Sequence, residues 1–496
     1  MARLGLAVLA SLLVPVAAFA DVKPHPLFTD HMVLQADRET PVWGIAAPEE
    51  KVSVSVSGGK EVIGGTATAD KDGKWSVKLP KQAAGVGYTL VIEGKNKVEL
   101  KNVAYGEVWI CSGQSNMEWR ADQAYDIDKA KAAAKNPMIR LLTVAKRTST
   151  TPLNDQADLA HISAWAECSP ENVGKFSAVG FNFGKDIQKT LNVPVGLIHT
   201  SWGGTPAQAW TSLEALQAVE ELKYYEGLYK TNVDTFEKNT DANKKLNQNT
   251  PSSLYNAMIH PLLPFAIKGA IWYQGESNTA RAAEYRTLFP TMISDWRAKW
   301  GYDFPFYAVQ LAPFIAGDSD GVSYAELRDA QLFTTKKLKN VGMAVITDVG
   351  DLFDIHPREK AVVGSRLAKA ALAGAYEKKT VGSGPTYKEV KIDGAKAIVT
   401  FENLGGGLAA RVGPTNFNVT APLSGFTICG DDDYFYPAKA KIEKDTVLVT
   451  SDKVAKPKAV RFGWSNYPVV NLFNKDGLPA SPFRTDDLPL TTAGKK

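Results

Sequence analysis

Val108-Trp-Ile-Cys-Ser-Gly-Gln-Ser-Asn-Met-Glu-Trp119 decides how the rest of the chain is read. Its first four residues are an uninterrupted apolar run, the pattern of a strand buried on both faces. Gly113 then turns the chain, and Ser115 follows, its hydroxyl exposed at the edge of a sheet. Similar runs recur downstream: Val195-Gly-Leu-Ile198, Gly269-Ala-Ile-Trp-Tyr273, Phe306-Tyr-Ala-Val-Gln-Leu311 and Met343-Ala-Val-Ile346. Helical patterns fill intervals between them, over 176–190, 281–299 and 323–337. Buried strands alternating with helices predict an α/β fold, a parallel sheet flanked by helices. Most of the runs lead into small or polar residues at their carboxyl ends, where open α/β sheets bind ligands.

On either side of this region the sequence reads as β structure. Val52-Ser-Val-Ser-Val56, Trp75-Ser-Val-Lys-Leu79 and Tyr88-Thr-Leu-Val-Ile92 alternate cleanly between turn signals such as Lys71-Asp-Gly73. Lys396-Ala-Ile-Val-Thr-Phe401, Thr446-Val-Leu-Val-Thr450 and Ala459-Val-Arg-Phe462 restore β character near the other end. The expected layout is a β-sandwich region over 21–104, an α/β domain over 105–380 and a C-terminal β region over 381–496. A polar helical insertion is expected at 213–248. The 496 residues, 44% of them hydrophobic, exceed what one core holds.

Residues 1–20 have the features of a secretory signal peptide: Arg3, an apolar run, and Ala18-Phe19-Ala20 as a cleavage site. The chain is therefore expected to be exported, periplasmic or secreted, and to start near Asp21. The apolar run is short for a membrane span, and nothing comparable follows. The net charge is +4 without a Lys/Arg cluster, which argues against a nucleic-acid partner. Cys111, Cys168 and Cys429 are odd in number and widely spaced, so neither a metal motif nor a disulfide scaffold is expected.

A serine hydroxyl is a weak nucleophile and needs a base to take its proton. Taken alone, a Gly-x-Ser triplet is weak evidence and reads first as a turn or helix-capping serine. The base is therefore sought among six histidines. His25 and His31 fall in the first β region, and His161 in a polar connection. His199 ends a strand, and His260 lies in the apolar segment Ala257-Met-Ile-His-Pro-Leu-Leu263. His356 differs from these. It follows the last sheet strand in Asp348-Val-Gly-Asp-Leu-Phe-Asp-Ile-His-Pro357, with three aspartates near enough to orient a ring. Attack on an ester carbonyl also needs preset donors for the oxyanion. Ser201-Trp-Gly-Gly-Thr205 offers bare backbone N–H groups, and Gln274-Gly-Glu-Ser-Asn278 offers amides.

Gly113-Gln-Ser-Asn-Met117, Trp202-Gly-Gly-Thr205, Trp272-Tyr-Gln-Gly-Glu-Ser-Asn278 and Asp354-Ile-His-Pro357 together resemble the sialate O-acetylesterase family. That family lies within the SGNH (GDSL-like) hydrolases and includes related acetylxylan esterases. Pro26-Leu-Phe-Thr-Asp-His-Met-Val-Leu-Gln35, Pro41-Val-Trp-Gly44 and Ser253-Leu-Tyr-Asn-Ala-Met-Ile-His-Pro261 extend the likeness well beyond the motifs. The resemblance implies an SGNH-like sheet with Ser115 as nucleophile, His356 as general base and Asp354 as its acid. It implies an oxyanion hole made by the Ser115 N–H, an N–H of Gly203 or Gly204, and the Gln274 side chain. In the wider superfamily an asparagine often holds that last role, and Asn278 lies four residues on. Asp351 is the alternative acid.

Trp202, Trp210, Asn116 and Arg358 are the substrate-binding candidates. Aromatic faces suit sugar rings, and an arginine suits the carboxylate of a sialic acid, while core packing or a solvated surface are the competing readings. Glu276 reads as a residue that fixes its loop. The implied activity is serine esterase chemistry that removes O-acetyl groups from carbohydrate, with no metal or organic cofactor. Sialic acids are the first substrate class, with acetylxylan or another polysaccharide as the alternative. A non-catalytic carbohydrate-binding protein on a hydrolase scaffold is the reading from another class.

Overall fold

The computed structural model describes residues 21–495 apart from Lys60 and Asp155. The leader expected at 1–20 lies outside the described residues. Seven strands form the central sheet: β1 (Lys97–Gly113), β2 (Asn136–Thr143), β3 (Ala166–Cys168), β4 (Val195–Ser201), β5 (Gly269–Tyr273), β6 (Phe306–Val309) and β7 (Val341–Ala344). They lie in the order β3-β2-β4-β1-β5-β6-β7. Every neighbouring pair is parallel except β3 with β2.

The helices in chain order are α1 (Ser115–Glu118), α2 (Ile127–Ala133), α3 (Ala178–Leu191), α4 (Leu213–Gln217), α5 (Tyr224–Lys238), α6 (Ala282–Trp300), α7 (Ser323–Lys337) and α8 (Lys360–Gly374). α3 packs on α8 and α6 packs on α7. The covered sheet explains why every residue of β4 and β5 is buried and why both read as unbroken apolar runs. The expected insertion is helical through α4 and α5, but its helix ends at Lys238, and 239–248 form turns and irregular chain.

β1 runs through the expected boundary at 104/105. Its first part pairs antiparallel with Gly85–Glu93, and its second part pairs parallel with β4 and β5. One 17-residue strand thus serves both regions, and no turn separates them. Val54, Leu90 and Ile92 of the β region share one continuous core with Trp109, Phe181 and Trp272. Within the β region, Thr40–Ile45 and Lys74–Leu79 form one sheet, and Lys51–Ser57, Ile63–Thr68 and Gly85–Glu93 join β1 in the other. Burial alternates along Thr40–Ile45, Lys51–Ser57 and Lys74–Leu79, as the sequence does. The C-terminal region forms small antiparallel sheets around its own core, which includes Val399, Ile428, Val447 and Phe462. Among the described residues no helix is long and apolar enough to cross a membrane.

Candidate active site

β1 ends at Gly113, whose φ is +135°. A Cβ there would lie 2.2 Å from the Tyr273 carbonyl oxygen, so the turn requires glycine. Sheet register sets Ser201 of β4 and Tyr273 of β5 on either side of Gly113. The loops leaving β4 and β5 therefore flank the loop leaving β1. Trp202 N donates to Gly113 O (3.1 Å), and Gln114 N donates to Tyr273 O (2.9 Å). Ser115 opens α1, partly exposed, and its N–H has no acceptor among the described residues. Gly203 packs against it so closely that an added Cβ would stand 3.2 Å from Ser115 Cβ.

His356 arrives from the other side. β7 lies three strands from β1, about 14 Å at the usual strand spacing. The loop after β7 folds back over this distance and is pinned by Asn116. Asn116 Nδ2 donates to Ile355 O (3.0 Å) and to Glu276 Oε1 (2.6 Å), while its Oδ1 accepts from Lys360 Nζ. The His356 ring stacks on Trp119, with centroids 4.9 Å apart and planes 20° from parallel.

The chain bends at Ile355, which brings Asp354 Oδ1 to 2.8 Å from His356 N and 3.7 Å from His356 Nδ1. Asp351 is exposed and accepts instead from the N–H groups of Phe353 and Asp354. Neither Ser115 Oγ nor His356 Nε2 has a hydrogen-bond partner among the described residues. Catalytic hydrogen bonds in unliganded sites are often long and tighten with substrate. Burial, reinforced by the Lys360 charge, holds His356 below the usual histidine value, against the opposing pull of Asp354 and Glu118.

The remaining interior histidines have structural partners. His199 Nε2 shares a 2.6 Å hydrogen bond with Ser201 Oγ, and burial pushes its pKa down to about 4. His161 and His260 bond the carbonyls of Ala257 and Leu153.

The donor set needs correction. Gln274 is fully buried, and its Nε2 donates to Asn278 Oδ1 (2.7 Å) and Thr205 O (3.3 Å), while its Oε1 accepts from Tyr285 OH (2.9 Å). Both amide protons are engaged, so Gln274 positions the Gly-Gly turn rather than facing an oxyanion. Asn278 is no substitute, because its Nδ2 donates to Gln208 Oε1 (3.1 Å). Gly203 N donates to Glu118 Oε2 (2.6 Å), whereas the Gly204 N–H is exposed with no acceptor among the described residues. Of the expected donors, the N–H groups of Ser115 and Gly204 are free.

Two substrate-binding expectations also change. Trp210 is fully buried and donates to Thr205 Oγ1 (2.9 Å), so it belongs to the core. Asn116 is buried and serves as the loop anchor. Arg358 is exposed in a hollow on the α2 side that also holds Asp126 and Glu359. Trp202 is half-buried and lines a separate cleft.

Lys360 and Glu118 escaped the sequence reading. Lys360 opens α8, where the helix dipole disfavours a cation, and burial pushes its pKa down to about 7. That cation at a helix start was the available signal. Glu276 is raised by burial, and its Oε2 is buried without a partner. All three cysteines are free and buried. No group of three or more His, Cys, Asp or Glu side chains could hold a metal among the described residues.

A half-exposed serine at a helix start, free N–H groups beside it and a carboxylate-flanked histidine make an arrangement suited to acyl transfer. Residues 105–373 match the family described as carbohydrate esterase, sialic acid-specific acetylesterase, so the class is that of carbohydrate ester hydrolases. Sialate O-acetylesterases of Homo sapiens and Pongo abelii are each 32% identical, over 405 and 401 residues, with 74% of this chain and 74% of each relative covered. A crystal structure of a carbohydrate acetylesterase from Xanthomonas citri is similar at TM-score 0.82 and 39% identity, covering 94% of this chain and 100% of that one. The chain belongs to the sialic acid-specific acetylesterase family.

Proposed function

We propose that the protein removes O-acetyl groups from sialic acids by two-step acyl transfer. The observation that carries the reading is the pinning of the His356 loop to Asn116, the residue after Ser115. Ser115 Oγ attacks the acetyl carbonyl carbon while His356 Nε2 takes its proton. The N–H groups of Ser115 and Gly204 receive the oxyanion, and Asp354 steadies the imidazolium. Collapse of the tetrahedral species expels the sugar hydroxyl, which takes its proton from His356. Water, deprotonated by His356, then attacks the acetyl-enzyme; the bond to Ser115 Oγ breaks, His356 returns the proton to that oxygen, and acetate leaves.

Sialic acid as substrate is supported by the family description and by the names of the curated relatives. Acetylated polysaccharide such as xylan is the second reading, and the name of the Xanthomonas citri carbohydrate acetylesterase is compatible with either substrate. Export rests on the leader-like residues 1–20, and sequencing the mature protein should find Asp21 at its N-terminus.

Acetate release from O-acetylated sialic acids and acetylated xylo-oligosaccharides tests the function. Ser115→Ala should retain less than roughly a thousandth of wild-type turnover, since loss of a catalytic serine typically costs about a millionfold. A larger remainder would mean that another nucleophile is used.

A further inference from the structure

We propose that the cleft between Trp202 and the end of the helical insertion is a subsite for a carboxylate-bearing sugar. This rests on the esterase reading and deepens it. The cleft measures about 550 Å³, and no acidic side chain lines it. Trp202 and Phe236 give it aromatic surface, and Lys146, Arg147, Lys244 and Lys245 give it positive charge.

Two of these cations are already neutralised. Lys146 pairs with Glu118 at 2.6 Å, and Arg147 with Asp158 at 3.0 Å. The other two are not. Lys244 has the carbonyl of Glu237 (3.2 Å) and the face of Phe236 (4.9 Å). Lys245 is exposed, with no acceptor among the described residues. Uncompensated charge beside aromatic faces matches a ligand with an anionic group on a ring of apolar faces. An acidic sugar has that chemistry.

The cleft is joined to the reacting centre. Lys146 Nζ lies 5.7 Å from the Trp202 ring centroid, and its partner Glu118 holds the N–H of Gly203, which packs on Ser115. A sugar whose acetyl group is placed at Ser115 would extend its neighbouring groups toward the cleft through this chain of contacts. Arg358 is the weaker candidate for the carboxylate, because its hollow carries the acids Asp126 and Glu359 among its lysines and no aromatic pair like Trp202 and Phe236.

The carboxylate has two sources: a sialic acid itself, or a uronic acid on an acetylated polysaccharide. Kinetics of wild type and the double variant Lys244→Gln/Lys245→Gln should be compared on an O-acetylated sialic acid, an acetylated glucuronoxylo-oligosaccharide and a neutral acetylated xylo-oligosaccharide. The ratio of acidic to neutral kcat/KM should fall about tenfold in the variant, carried by KM. Added salt should lower the same ratio in the wild type. The acidic substrate that responds identifies the source. An unchanged ratio for both would overturn the subsite. Failure of the wild type to release acetate from any of the three would instead overturn the esterase reading.

Discussion

The side-chain amide of Asn116 donates to the carbonyl of Ile355, which lies 239 positions away in sequence and sits between Asp354 and His356. The residue beside Ser115 thus sets the height of the loop that carries His356. Asn116→Ala should cut turnover of p-nitrophenyl acetate about 100-fold, the scale of an ångström-sized misplacement of a reacting group. KM should change far less. Thermal stability should also drop, because Lys360 Nζ and Glu276 Oε1 lose their buried partner. Full turnover in a destabilised variant would show that the Trp119 stack alone holds the ring.

Gln274 separates two kinds of contribution to an oxyanion hole. A direct donor facing the reacting carbonyl costs a factor of about 100 to 1,000 in turnover when removed, with little effect on stability. Gln274 is instead buried against Thr205, Asn278 and Tyr285. Gln274→Ala should therefore lower the unfolding midpoint as well as turnover, since each partner left unsatisfied costs about 1–3 kcal/mol. Loss of turnover at unchanged stability would return Gln274 to the role of direct donor.

The strand-end motifs were legible because each is local: a glycine turn, a serine and a histidine beside aspartates are visible within ten residues. Parallel register then brings them together. Buried polar side chains were harder to read, because their partners are remote. Gln274 looked free at a strand end until Thr205 and Asn278 filled its protons. β2 was missed for a related reason. Met138-Ile-Arg-Leu-Leu142 carries Arg140 inside an apolar run, and remote partners such as Glu167 (3.1 Å) and Asn102 (3.2 Å), with the Pro137 carbonyl (2.6 Å), make its burial tolerable. That the strand at 104/105 is continuous was not legible, because residues that pair antiparallel and residues that pair parallel share the same extended backbone along β1.

The acidic limb of kcat/KM tests the electrostatics around His356. In the proposed mechanism the ring must be neutral to take the Ser115 proton, so activity should survive on lowering pH only down to its pKa. Burial and the Lys360 charge set that pKa below 6.5, and the half-maximal point should accordingly lie below 6.5. Asp354 pulls the other way. Asp354→Asn should move the limb further down and also reduce the plateau, because the imidazolium formed in the transition state loses its partner. Lys360→Met should move the limb up, since it removes a charge that disfavours the protonated ring. It should also sharpen the limb. Lys360 gains its own proton near pH 7, so in the wild type the two titrations overlap and broaden each other. Asp351→Asn should leave the limb in place, because that carboxylate is exposed and turned toward the N–H groups of Phe353 and Asp354. A limb that shifts in Asp351→Asn and stays put in Asp354→Asn would make Asp351 the orienting acid.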